Sequence, residues 1–331
     1  MHEMRTQARG GKQGVGIISD IKVTAAIVAV AASIGSQSVR GQAEKEPVFR
    51  ANVDMVVLTF GVTNEKNKYV GGLTPNDLTI LEDGAPQRIA TFSEGSRPPI
   101  RLLESPNGSA GTNVFLLFDT SNRMYQTYAY ACDAIAGFAR QLDPADSIAL
   151  YTFSRNLWRA LPLTQDHSQT RSGLSSAVAG AETALYNAVL LTLRDAARVP
   201  GRKAVVVFSN GPDTASIVRP DDVGAVAANE GIPIYVLSTQ EASKDRLTSK
   251  AFEFLTTHSG GKLYWASNWQ KQAEAFASIH QDIGSSYTVS YYPASNANTG
   301  FRHIQIEVRS EAGRKYHVRV RPGYDASARG R

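Results

Sequence analysis

Between Val114 and Ile283 the sequence alternates short apolar runs with longer stretches of helical periodicity, and few folds accept that order. "NVFLLFD" is apolar at successive positions, as expected of a strand covered on both faces. "YQTYAYACDAIAGFARQL" then places its apolar residues at helical spacing. "SIALYTFS" and "LWRALPLT" read as strands, "ETALYNAVLLTLRDAARV" as a long amphipathic helix, and "KAVVVFSN" and "IPIYVLST" as two more strands. Helices stopping at Gly231 and at Gly260-Gly261, and one capped by Ser267 or Asn268, complete the series. The pattern predicts an α/β fold, a doubly wound and mostly parallel sheet with helices on both faces. Right-handed crossovers gather the loops at the strand C-terminal ends on one rim. Asp119 and Asn210 each end a strand, so both are expected there.

The flanks read differently. "NVDMVVLTFGVTN" is β-branched, and "DLTILEDGAPQRIATF" carries Asp83-Gly84, a hairpin signal between apolar segments. "EGSRPPIRLLESPNGSAGTN" reads as a linker. After residue 286, "SYTVSYYP", "FRHIQIEVRS" and "RKYHVRVRPGY" return to strands. Each flank is too short for a comfortable core of its own. The expectation is one small antiparallel β-sandwich built from residues 44–105 and 285–325, with an α/β domain at 111–284 inserted in it or flanked by it. In the last strand His317, Arg319 and Arg321 share a face, read as a solvated ladder.

Residues 1–43 have the order of a secretory signal: Lys12 and Lys22, an apolar run from Val23 to Ala32, then Gly41-Gln42-Ala43. The run is shorter than the ~20 residues a membrane span needs. The expected location is secreted, periplasmic or cell envelope, with no membrane span in the mature chain. Cys132 is the single cysteine, so no internal disulfide forms. The net charge of +5 is local: residues 300–331 hold eight Lys/Arg against three Asp/Glu. That distribution argues against a nucleic-acid partner.

The loop after the first α/β strand reads Asp119-Thr-Ser121-Asn-Arg123. With "AETALYNAV" and "VVVFSNGPDTAS" it resembles the three rim segments of a von Willebrand factor type A domain, and the layout resembles bacterial secreted proteins that carry one. In that family the rim often forms a metal-ion-dependent adhesion site of the form Asp-x-Ser-x-Ser, a threonine and a second aspartate. The resemblance places Asp119, Ser121, Arg123, Thr183 and Asn210 at those positions. Arg123 stands for a serine and Asn210 for an aspartate. Asp119, Ser121 and Thr183 offer oxygens to Mg2+ or Mn2+, an ion that prefers six oxygen ligands. Arg123 has no lone pair and is always charged. The expectation is therefore a degenerate site without a cofactor, in which Arg123 pairs with Asp119 or caps the rim itself, and as a further step receives an acidic side chain of a protein partner. A divalent-metal-dependent adhesion module and an inert envelope scaffold are the alternatives. No Walker loop, Gly-x-Gly-x-x-Gly, His-Glu-x-x-His or Gly-x-Ser-x-Gly occurs, so catalysis is not expected. Thr183 also has a plainer reading as a helix cap, and Asp213 as an organiser of its own loop.

Overall fold

The computed structural model describes residues 55–102, 110–309 and 315–328. The expected signal segment lies outside them. Residues 51–331 form one compact unit.

Five strands precede the α/β layers: β1 (Val56–Asn64), β2 (Leu78–Glu82), β3 (Ala85–Gln87), β4 (Ile89–Glu94) and β5 (Ile100–Arg101). Six lie within them: β6 (Thr112–Asp119), β7 (Ser147–Phe153), β8 (Leu157–Thr164), β9 (Arg202–Phe208), β10 (Ile234–Thr239) and β11 (Leu263–Ala266). Four follow: β12 (Tyr287–Tyr291), β13 (Phe301–Val308), β14 (Tyr316–Arg319) and β15 (Gly323–Asp325). The helices are α1 (Tyr128–Gln141), α2 (Thr170–Ser175), α3 (Leu185–Ala197), α4 (Pro220–Glu230), α5 (Gln240–Ser243), α6 (Arg246–Ser259) and α7 (Trp269–Gly284).

The central sheet has the order β11-β10-β9-β6-β7-β8, parallel except for the antiparallel edge strand β8. Its middle strand β6 is buried at nearly every position because helices cover both faces. Val114, Leu116 and Phe118 pack toward α1 and α7, and Phe115 and Leu117 toward α3, α4 and α6. Each such side chain contributes about 1.5–3 kcal/mol by leaving water. α3 shows why its sequence is helical here: Leu185, Ala188, Val189, Thr192, Leu193 and Ala196 form one buried stripe.

The flanking strands interleave across the insertion. One sheet runs β14-β1-β12-β4-β5 and the other β15-β13-β2-β3. β12 enters between β1 and β4, and β13 pairs with β2. Leu58, Phe60, Phe92 and Tyr287 from one sheet and Ile80, Ile304, Ile306 and Tyr324 from the other share a single core. Asp83 and Gly84 take the positive φ values of 49° and 79° that the β2–β3 hairpin requires.

Three arginines join the sandwich to the α/β layers, and each meets the C-terminus of a helix. Arg202, wholly buried at the start of β9, donates to the carbonyls of Ile283 at the end of α7 and Gly95 in the entry linker, and to the Ser286 hydroxyl. Arg319 donates to the Gly260 carbonyl past α6, and Arg321 to the Ala228 carbonyl in the last turn of α4. Cations at helix C-termini are favoured by the unpaired carbonyls there. The solvated ladder expected for Arg319 and Arg321 is therefore corrected: Arg321 is buried and Arg319 largely so, while His317 is exposed. Gly231, at φ 66°, closes α4 where a Cβ would stand 2.6 Å from the Val57 carbonyl and 2.8 Å from the Arg321 guanidinium.

Candidate functional site

Three loops meet at the C-terminal rim of the central sheet, as topology predicts, and hydrogen bonds tie them. The Thr120 hydroxyl donates to the Val178 carbonyl at 2.8 Å, and the Gly180 N–H to Thr120 O at 3.0 Å. The Thr214 N–H donates to Thr183 O at 2.8 Å, joining the second loop to the third. The Asn210 amide donates to Arg123 O at 2.9 Å, joining the third to the first.

Asp119, buried at the end of β6, accepts the Ser121 N–H at 2.8 Å and the Ser209 hydroxyl at 2.6 Å. Burial pushes its pKa above the ordinary carboxylate range; the Ser209 hydroxyl, Ser121 and the Arg123 charge oppose that rise. The Ser121 hydroxyl is buried near this carboxylate without meeting hydrogen-bond geometry. The Asn210 amide is used at both ends, because its oxygen accepts the Thr239 hydroxyl at 3.0 Å.

Arg123 is exposed on a 3-10 turn, Asn122–Thr127. Among the described residues it forms no ion pair, so the expected Arg123–Asp119 pair is not present. The physical reason is local: the Asp119 carboxylate is buried and held by the Ser209 hydroxyl and the Ser121 N–H, while the Arg123 side chain is exposed. It lines a cleft of about 520 Å³ with Asn122, Asn210, Pro212 and Asp245. Asp245 faces that cleft with its carboxylate already committed to the Leu247 N–H and the Thr248 hydroxyl at the start of α6.

Thr183 is buried, and its backbone, not its side chain, holds the loop. The residue preceding α3 is Ala184, so Thr183 is not the cap of that helix. Asp213 serves its first turn instead, accepting the Tyr186 N–H, and it also orders its own loop through the Ser216 N–H and hydroxyl. Sequence reasoning missed Ser209 and Asp245. An Asp just before a helical stretch is a cap signal and pointed to Asp245; nothing distinguished Ser209 from a strand terminator.

Three of the most exposed large apolar side chains follow strands β6, β9 and β10: Tyr125 at 78%, Ile217 at 91%, and Leu247 at 80% in the first turn of α6. Among the described residues, no group of three or more His, Cys, Asp or Glu is placed to hold a metal ion.

Residues 114–212 match the family model of the von Willebrand factor type A domain. The chain therefore carries a von Willebrand factor type A-type domain, matched from β6 to the loop after β9. No curated protein matches it. Among solved structures it is similar to the conserved hypothetical protein BatB from Bacteroides thetaiotaomicron, at 21% identity over 52% of this chain and 97% of that one, TM-score 0.44. It is also similar to the vWF domain of the type V pili tip protein Mfa5 from Porphyromonas gingivalis, at 11% identity over 57% and 99%, TM-score 0.47. A von Willebrand factor type A protein from Catenulispora acidiphila matches at 11% identity over 76% and 72%, TM-score 0.45.

Proposed function

We propose that this chain is an exported protein-binding module that engages its partner at the rim without a resident divalent ion. One observation carries the reading: Arg123 stands exposed at the rim cleft with no ion pair among the described residues, while the buried Asp119 carboxylate accepts hydrogen bonds from Ser209 and Ser121. The donor set does not fit a resident Mg2+ or Mn2+. It offers one carboxylate, the hydroxyls of Ser121 and Thr183, and an Asn210 amide spent elsewhere. A guanidinium does for an acidic side chain what a bound ion would do, through charge-assisted hydrogen bonds. Tyr125, Ile217 and Leu247, which follow strands β6, β9 and β10, add exposed apolar area on the rim side of the sheet, the composition of a protein interface. Export rests on the pattern of residues 1–43.

A second reading, a metal-dependent adhesion module, is favoured by one feature: the buried Ser121 hydroxyl lacks a partner beside a carboxylate whose charge is penalised by burial. Capture of partners from envelope extract on purified protein, with EDTA or with magnesium, separates the readings. The expected result is a partner retained in EDTA and lost on Arg123→Glu. A partner lost in EDTA overturns the metal-free reading, and a partner indifferent to every rim substitution makes the domain a scaffold.

A further inference from the structure

A second cleft, of about 520 Å³, opens at the other end of the central sheet, where the α/β layers meet β1 and β14. Its chemistry follows from how Asp282, at the end of α7, is used. One Asp282 oxygen accepts the Tyr69 hydroxyl and, at 2.8 Å, the Arg319 guanidinium; the other accepts the Tyr264 hydroxyl. The carboxylate is wholly buried and accepts these three donors.

Lys262 is the least engaged cation of the cleft. Its ammonium stands 3.8 Å from Asp282, in charge contact but beyond hydrogen-bonding distance, and 5.0 Å from the centre of the Tyr264 ring. The side chain is 46% exposed and lines the cleft, so its ammonium keeps donors for a ligand beside its charge contact with Asp282. From the sandwich side His317 lines the same cleft, exposed, and sits directly across from Thr63 in the β1–β14 pairing. The Thr63 hydroxyl and the Asn67 amide complete the polar lining. Lys262 and Arg319 against Asp282 leave one positive charge in surplus before His317 is counted.

From this arrangement we infer an oxyanion site: the cleft takes a small molecule bearing a carboxylate or phosphate, its head group between Lys262 and His317. The volume lies within the ~300–1,000 Å³ usual for small-molecule pockets, with room for a body beyond the anionic group. Lys262 belongs to the α/β layers and His317 to the sandwich, so the ligand bridges the two.

Isothermal titration of the full chain with inorganic phosphate and with glucuronate tests this, one probe for each head group, with glucose as the uncharged control. At least one anion is expected to saturate with a Kd on the order of 1 mM. Lys262→Met and His317→Ala each weaken that binding about tenfold or more, the usual loss for a charge-assisted hydrogen bond. Both side chains are exposed, so the variants keep the fold, which circular dichroism verifies. Anion binding lost on Arg123→Glu but kept in Lys262→Met and His317→Ala places the anion at the rim and overturns the proposal. Absence of saturation by either anion overturns the proposal. So does glucose binding as well as glucuronate, or both variants binding like the wild type.

Discussion

Replacing Arg319 by Met removes the cation that joins β14 to the end of α7 while keeping most of the side-chain volume. In the native protein Arg319 donates to Asp282 at 2.8 Å and to the Gly260 carbonyl at 2.9 Å. Asp282 is 0% exposed and Arg319 29%, so the pair is shielded from salt on one side only. Breaking a fully buried pair costs about 3–5 kcal/mol, chiefly because the surviving charge stays buried and unpaired. Here Tyr69 and Tyr264 still donate to the carboxylate and Lys262 remains 3.8 Å away. The expected loss is therefore smaller, about 2–3 kcal/mol. At about 2–4 °C per kcal/mol for a unit approaching this size, Tm falls by about 4–12 °C. Urea unfolding followed by circular dichroism reads the loss, and the double variant Arg319→Met/Asp282→Asn supplies the decisive comparison. With the orphan charge removed, the double variant is expected to be no less stable than Arg319→Met alone. A single variant within about 0.5 kcal/mol of wild type, or a double variant that merely sums two losses, refutes the charge-pair reasoning.

Gly95→Ala at the entry linker is expected to destabilise by well over about 1 kcal/mol, because φ is 56° and the new Cβ would lie 2.4 Å from the Gly284 carbonyl; a thermal melt equal to wild type contradicts this. Asp119→Asn acts through pH: burial raises the folded pKa, so the carboxyl favours the folded state below its unfolded pKa of about 3.9 and loses that advantage as pH rises through the folded value. The variant is therefore expected to melt higher than wild type at pH 7, with the gap closing toward pH 4; a gap that widens on acidification reverses the sign of the argument. Calorimetry with MgCl2 is expected to give no saturable heat, and micromolar binding abolished by Asp119→Ala would reverse the metal-free proposal.

Much of the fold was legible because periodicity reports burial. Runs such as "VVVF" are apolar at consecutive positions only where both faces are covered, so the central sheet could be read before its partners were known. Asn268 and Gly231 likewise declare their helix boundaries through local chemistry: the Asn268 side chain accepts the Lys271 N–H, and Gly231 takes positive φ. The basic strand was misread for a physical reason. Alternation tells which residues share a face but not what covers it, and the ends of α4 and α6 cover Arg321 and Arg319. At the rim, topology was enough to place Asp119 and Asn210 on adjoining loops. The orientation of Arg123 depends on whether Asp119 already has donors, and the Ser209 hydroxyl that decides this comes from a residue 90 positions away.

The arginines set the two ends of the central sheet apart chemically. Arg202 starts β9, Lys262 precedes β11, and Arg319 and Arg321 reach the last turns or caps of α6 and α4. All of these lie at the strand N-terminal end, where helices present carbonyls and therefore attract cations. The rim loops follow the strand C-terminal ends, where the peptide N–H groups of the next helices begin. β6 has 8 residues, so about 25 Å of strand separates the grip from the rim. The sandwich thus holds the domain from below and leaves the Arg123 cleft facing away. At that distance substitutions at the two sites share no partners, and their effects on binding should add. An anion at Lys262 and a partner at Arg123 would then act independently unless the whole sheet moved. Titrating the rim partner with and without saturating phosphate measures this directly, and a changed affinity would mean that the junction cleft regulates the rim.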